Sequence, residues 1–187
     1  MELESKKQAI AEILDGKVVD DSSRVQVCIK GSMLGFPTTI EAFRAGFPFG
    51  VNIYIETETE IERKKQNIVD PFKISIRPRY VKGLLAIVSR IFLFESRGEK
   101  VGNKEFESRY VSQHSDYEMA EKFIRYPGII ENINELEKIS QFNELVARAK
   151  YGVFLSQSKS FKQLDIDETR ETLKNLANIG QVLFDAF

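Results

Sequence analysis

One histidine and one cysteine limit the chemistry this chain can perform. His114 stands in Ser112-Gln113-His114-Ser115, where a ring nitrogen beside hydroxyls has the makings of a general base. No sequence-local Asp is there to hold the imidazole as in a catalytic triad. His114 therefore reads first as a loop residue just ahead of a helix, and a hydrolase built on it ranks last among the functional readings. Cys28 would be a nucleophile if His114 lay beside it. Its place in Val25-Gln26-Val27-Cys28-Ile29 makes it instead a small filler on the less apolar face of a strand. A zinc site would need mostly carboxylate ligands, which that metal seldom takes. No catalytic residue, metal or cofactor is assigned from these side chains.

The charged motifs divide in the same way. Asp165, Asp167 and Glu168 could attract a hard cation, but the sixth position counted from Asp165 is Arg170, where a calcium loop requires Gly. Carboxylates at the start of a helix explain the cluster. The run Glu56, Glu58, Glu60, Glu62 reads as one face of a strand neutralised by Lys73 and Arg77. Gly98-Glu99-Lys100-Val101-Gly102-Asn103-Lys104 superficially resembles a phosphate loop, but it has three residues between its glycines and Asn after the second. The nucleotide-binding pattern needs four, then Gly-Lys-Ser/Thr. The loop therefore reads as a charged surface turn.

Two stretches keep a functional reading. Lys73, Arg77, Arg79 and Lys82 are interleaved with Phe72 and Tyr80, the grammar of an anion or nucleic-acid surface. Cross-strand ion pairing with the acidic strand is the competing account. Phe36, Phe43, Phe47 and Phe49 fall in one stretch punctuated by Pro37 and Pro48. A long loop of this kind is either a lid folded back on the core or a surface for a protein partner or a second copy of the chain.

The elements that position these residues follow from hydrophobic period. Residues 3–15 form a short helix with Leu3, Ile10, Ile13 and Leu14 on one face and Gly16 as the stop. Residues 25–29 alternate as a half-buried strand. The segment 35–49 reads as a loop, with one helical turn at Ile40-Glu41-Ala42-Phe43. Val51, Ile53 and Ile55 define a strand, and Phe72, Ile74 and Ile76 a second. The two are expected to pair antiparallel around a loop at residues 63–71, opposing Glu56 to Arg77 and Glu60 to Lys73. Such pairs contribute roughly 0.2–1 kcal/mol each and help fix register. Residues 82–93 suit a buried helix, residues 96–104 a loop, and residues 106–110 a strand. Ser115-Asp116-Tyr117-Glu118 has capping-box spacing and opens a helix to about Tyr126, ended by Pro127-Gly128. A second helix carries Ile129, Ile130, Ile133 and Leu136 inward. Residues 145–158 form a hairpin turning at Tyr151-Gly152. A long final helix, capped at Asp165, has Leu173, Leu176, Gly180, Leu183 and Phe187 along one stripe.

Strands and helices are grouped rather than alternating, so the expected fold is α+β. It is one domain over residues 1–187, a mainly antiparallel sheet packed by an N-terminal helix, central helices and a long C-terminal helix. Gly102-Asn103-Lys104-Glu105-Phe106-Glu107, Tyr110-Val111, the helix at Ala120-Glu121-Lys122-Phe123-Ile124, the Gly-turn hairpin and the Leu-rich last helix resemble a pattern of bacterial proteins of unknown function. That pattern has Asp where this chain has Asn103 and Glu107. The resemblance spans residues 100–187 and implies an architecture, not a site.

Composition sets the remaining bounds. Lys and Arg number 27 against 28 Asp and Glu, a net charge of −1, and a dedicated nucleic-acid binder normally carries a basic excess. Nucleic acid is thus an unfavoured partner. A single cysteine forms no internal disulfide, which fits the cytoplasm. The acidic start Met1-Glu2-Leu3-Glu4 is not a secretory signal, and the apolar run 84–94 is too short for a membrane span of about 20 residues. The expectation is a cytoplasmic, non-enzymatic binding domain using residues 36–49, with an anion binder on residues 73–82 as the alternative.

Overall fold

The computed structural model describes residues 2–19, 25–43, 50–56, 72–79 and 98–187. Its frame is one sheet of eight strands: β1 Lys17–Val19, β2 Val25–Met33, β3 Phe36–Phe43, β4 Val51–Ile55, β5 Lys73–Pro78, β6 Tyr110–His114, β7 Phe142–Arg148 and β8 Gly152–Gln157. Every pairing is antiparallel, in the order β1-β2-β3-β4-β8-β7-β5-β6. Among the described residues the α-helices are α1 Glu2–Ile13, α2 Lys104–Arg109, α3 Tyr117–Arg125, α4 Ile129–Ser140 and α5 Ile166–Ala186. The fold is α+β, with helices before, within and after an antiparallel sheet.

Register explains which sheet face holds the core. Ile29 pairs with Ile40, Ile40 with Ile53, Ile53 with Leu155, Leu155 with Leu145, and Leu145 with Ile76. All six side chains are fully buried. Helix α5 packs over this row, touching β2, β4, β8 and β7, while α4 and α1 lie against α5. Its stripe is as the sequence reads: Leu173, Leu176, Gly180 and Leu183 are buried, and the Phe187 ring stacks on Phe72 at 4.9 Å. A Cβ on Gly180 would stand 3.3 Å from Ile55 Cγ2, so a glycine lets the helix seat closely on β4. Asp165 caps α5, its Oδ1 accepting from the N–H groups of Asp167 and Glu168 at 2.9 and 3.0 Å.

Four sequence expectations are corrected. Residues 36–43 are a strand, not a loop with a helical turn. The β2–β3 hairpin turns on Leu34 (φ 51°) and Gly35 (φ 87°), two left-handed residues as a type I′ turn demands. Second, β4 and β5 do not pair. β4 lies between β3 and β8, and β5 between β7 and β6, so Glu56 does not oppose Arg77. Matched alternation marks both as strands but does not choose the neighbour. Third, residues 104–109 are helix α2, with Asn103 Oδ1 accepting from Phe106 N–H at 3.0 Å, and the strand β6 begins only at Tyr110. Fourth, the cap of α3 is Asp116, which accepts from Met119 N–H at 2.9 Å. Ser115 instead extends the sheet, its Oγ accepting from Lys73 N–H at 2.9 Å.

Phe47, Phe49, Lys82, Glu58, Glu60, Glu62, the loop at 63–71 and the helix expected over 82–93 lie outside the described residues. No helix among the described residues is long and apolar enough to cross a membrane.

Candidate functional site on the open face of the sheet

Strand alternation sends every second side chain away from the helices. On that second face the register lines up Thr39, Tyr54, Phe154, Val146 and Ser75 across five strands, and beside them Glu41, Asn52, Ser156 and Glu144. Apart from Val146 these residues are polar or aromatic, where the helix-covered row is aliphatic. Strand β7 places Glu144 between them and β5. Its carboxyl accepts from Ser75 Oγ at 2.6 Å and from Arg77 Nε and Nη2 at 3.2 and 2.9 Å. Burial pushes the Glu144 carboxyl up, but hydrogen bonds from Ser75 and Arg77, with the charges of Arg77 and Lys73, outweigh it. The group lies below its ordinary range.

A cavity of about 420 Å³ opens on this face, lined among others by Tyr54, Glu56, Lys73, Glu144, Arg148 and Phe154. Its apolar wall is the Tyr54–Phe154 pair, ring centroids 5.1 Å apart and tilted by 41°. Burial and the nearby charge of Glu41 push the Tyr54 phenol up, against a lowering hydrogen bond from Asn52, so it stays protonated. Two positions along β7 from Val146, the partner of Phe154, the Arg148 guanidinium lies 5.9 Å from the centre of the Tyr151 ring. A hollow of this size on strands, with an aromatic pair beside charged groups, is of the kind that holds a small ligand.

The residues singled out by sequence fall in several places. Lys73 and Arg77 both reach the open face, but Arg77 is engaged by Glu144. Arg79 turns to a different hollow of about 390 Å³ beside β6, where its Nε donates to the Glu107 carbonyl at 3.0 Å. Phe36 is half-buried and packs against the core, and Phe43 is half-buried at the end of β3. His114 is on the helix-covered face, paired with Ile74. Its Nε2 is 3.1 Å from the Lys100 carbonyl, and its Nδ1 is 3.5 Å from Glu99 Oε2. Cys28 is buried on β2, six strand positions from β6, so about 29 Å separates it from His114. The two cannot act together. In the glycine loop, Glu107 accepts from the N–H groups of Val101 and Gly102 at 2.9 and 3.0 Å, filling with its own carboxylate the place a phosphate would take. Among the described residues no group of His, Cys, Asp and Glu side chains is arranged to hold a metal ion.

Sequence reasoning missed Tyr54, Glu144, Arg148, Tyr151 and Phe154 as one site. They come together only through the β4–β8–β7–β5 order. Tyr54 alternates with Ile53 and Ile55, which puts it on the face away from them, and that is the usable signal. No family model matches the chain, and no match is found among curated proteins or among solved structures.

Proposed function

We propose that this protein is a non-enzymatic binding domain that seats a small ligand in the cavity between Tyr54, Phe154 and Arg148. The observation that carries the reading is a 420 Å³ hollow on rigid strands whose central carboxylate is already engaged. Glu144 takes three hydrogen bonds and its proton affinity is lowered, so it is a poor general base. His114 is on the other face, where among the described residues its ring nitrogens meet the Glu99 carboxylate and the Lys100 carbonyl rather than a hydroxyl. The buried free thiol of Cys28 supports a cytoplasmic location.

Residues 36–49 remain the alternative seat for a protein partner or a second copy. Its two described rings, Phe36 and Phe43, fit the lid reading better, since both are half-buried. The decisive measurement is a fragment screen by amide chemical shifts on the full chain. Binders should move Tyr54, Val146, Gly152 and Phe154 together. Hits that instead cluster on Glu99, Lys100 and His114, or turnover of a simple ester lost in His114→Ala, would sink the proposal.

A further inference from the structure

We propose that Lys73 and Arg148 form an anion seat at the mouth of the open-face cavity, and that its ligand is a small planar aromatic anion. This rests on the binding-cavity reading above. Lys73 and Arg148 are directly opposed in the β5–β7 register. Like charges facing across a sheet destabilise it, so such a pair is a cost the fold bears unless an anion lies between them. Neither side chain makes an ion pair with a described residue. Glu144, a carboxylate on the same cavity wall, is held by Ser75 and Arg77. Lys73 acts on it only as a more distant charge. Glu56, the other carboxylate on the cavity wall, stands two positions after Tyr54 and follows Ile55, the partner of Val153, so it borders Gly152, the residue that pairs with Arg148. Two opposed cations against that one carboxylate leave the β5–β7 side of the cavity net positive.

The other half of the ligand is read from the opposite wall. Tyr54 and Phe154 offer ring faces, Val146 is the residue in register beyond Phe154, and Tyr151 lies beside the Arg148 guanidinium. A ring against the aromatic pair, with its anionic group toward Lys73 and Arg148, satisfies both ends. Guanidinium and ammonium groups both bind carboxylate or phosphate oxygens. The next cation on β5, Arg77, is engaged by Glu144, and Arg79 turns to another hollow. One anionic group, rather than a charged polymer running along the strand, fits this spacing.

The test titrates the full chain with 2-naphthoate, 2-naphthyl phosphate and the neutral 2-naphthylmethanol, read by calorimetry and amide shifts. At least one anion should bind tenfold or more tighter than the alcohol, moving Tyr54, Gly152 and Phe154. Whichever anion binds tighter tells carboxylate from phosphate. Lys73→Gln and Arg148→Gln should each weaken the anion at least fivefold, leave the alcohol unchanged, and melt no lower than wild type. Equal affinity for anion and alcohol, with the same amides shifting, would overturn the anion seat and keep the cavity. Absence of shifts at those amides with all three probes would overturn both. An octadeoxyadenylate binding more than tenfold tighter than 2-naphthyl phosphate through the same two cations would replace the small ligand by a single strand.

Discussion

Replacing Tyr110 with Phe should leave a protein whose deficit in stability closes as the solution becomes alkaline. Tyr110 is 1% exposed, and its hydroxyl lies 2.8 Å from both Glu137 Oε2 and Asn134 Oδ1 on α4. The hydroxyl donates its one proton to the carboxylate. Arg109 approaches the same Glu137 oxygen at 3.4 Å. A hydrogen bond to a charged acceptor contributes about 1.5–3 kcal/mol. Glu137 retains some exposure, so the lower figure applies, and Tyr110→Phe should cost about 1.5 kcal/mol at pH 7. For a chain of this length that lowers Tm by roughly 3–6 °C.

The pH dependence follows from burial, which raises the Tyr110 phenol far above its usual range, with Glu137 adding to the effect through its hydrogen bond and charge. In the unfolded chain the phenol ionises near pH 10. Below that pH both states are protonated and the full stabilisation is present. Above it the unfolded state releases a proton that the folded state keeps, so stability falls by about 1.4 kcal/mol per pH unit. The loss is about 0.8 kcal/mol by pH 10.5 and about 1.4 by pH 11. Tyr110→Phe has no such proton to lose, so the gap between the two chains should nearly vanish by pH 11. Urea unfolding at pH 7, 9, 10 and 10.5 measures it. A gap that stays constant over this range would show that the phenol titrates alike in both states, and the reasoning would fail.

Three further outcomes can be checked by similar means. Glu144→Gln should cost about 1 kcal/mol at pH 7, discounted because Arg77 is half exposed; since the folded carboxyl is held low, the difference should persist above about pH 4.3 and disappear as pH falls below it. Asp165→Ala removes the acceptor of two N–H groups at the start of α5 and should cost about 1 kcal/mol in chemical unfolding, whereas Asp165→Ser should recover most of it. Gly180→Leu forces a branched side chain against Ile55 and should lower stability by about 2–3 kcal/mol, while a thermal melt that matched wild type would mean α5 sits less closely on β4 than described.

What the sequence made legible was local. The amphipathic stripe of α5, its Asp165 cap, the inward Ile129, Ile133 and Leu136 of α4, and the β7–β8 hairpin turning at Tyr151-Gly152 each depend on neighbours within a few positions. The misses have physical causes too. A type I′ turn is usually announced by Asn-Gly or Asp-Gly. Here Leu34-Gly35 fills it, with a bulky residue at φ 51°, so β3 read as a loop. Asn103 is a good N-cap, but the alternation of Phe106, Ser108 and Tyr110 outweighed it, and α2 read as a strand. The pairing of β4 with β8 is a choice among partners made by the whole core. Nothing in the alternation of either strand expresses it, and so the cavity residues stayed scattered along the chain.

The same strand order dictates when the fold can close. β1 to β4 form a meander of neighbours, and β5 to β8 form a second set among themselves. The two sets meet at one seam, where Val51 pairs with Gln157, 106 positions later in the chain. Loop-closure entropy must be paid before so distant a contact returns anything, which slows folding. On the ribosome, the β4 edge with Val51, Ile53 and Ile55 emerges long before β8 or α5 exists to cover it. An uncovered apolar edge of this kind is a template for pairing with another chain. A nascent chain halted after β4 should therefore be held by chaperones or aggregate. Release from that state should coincide with emergence of α5, the helix that lies across strands from both sets.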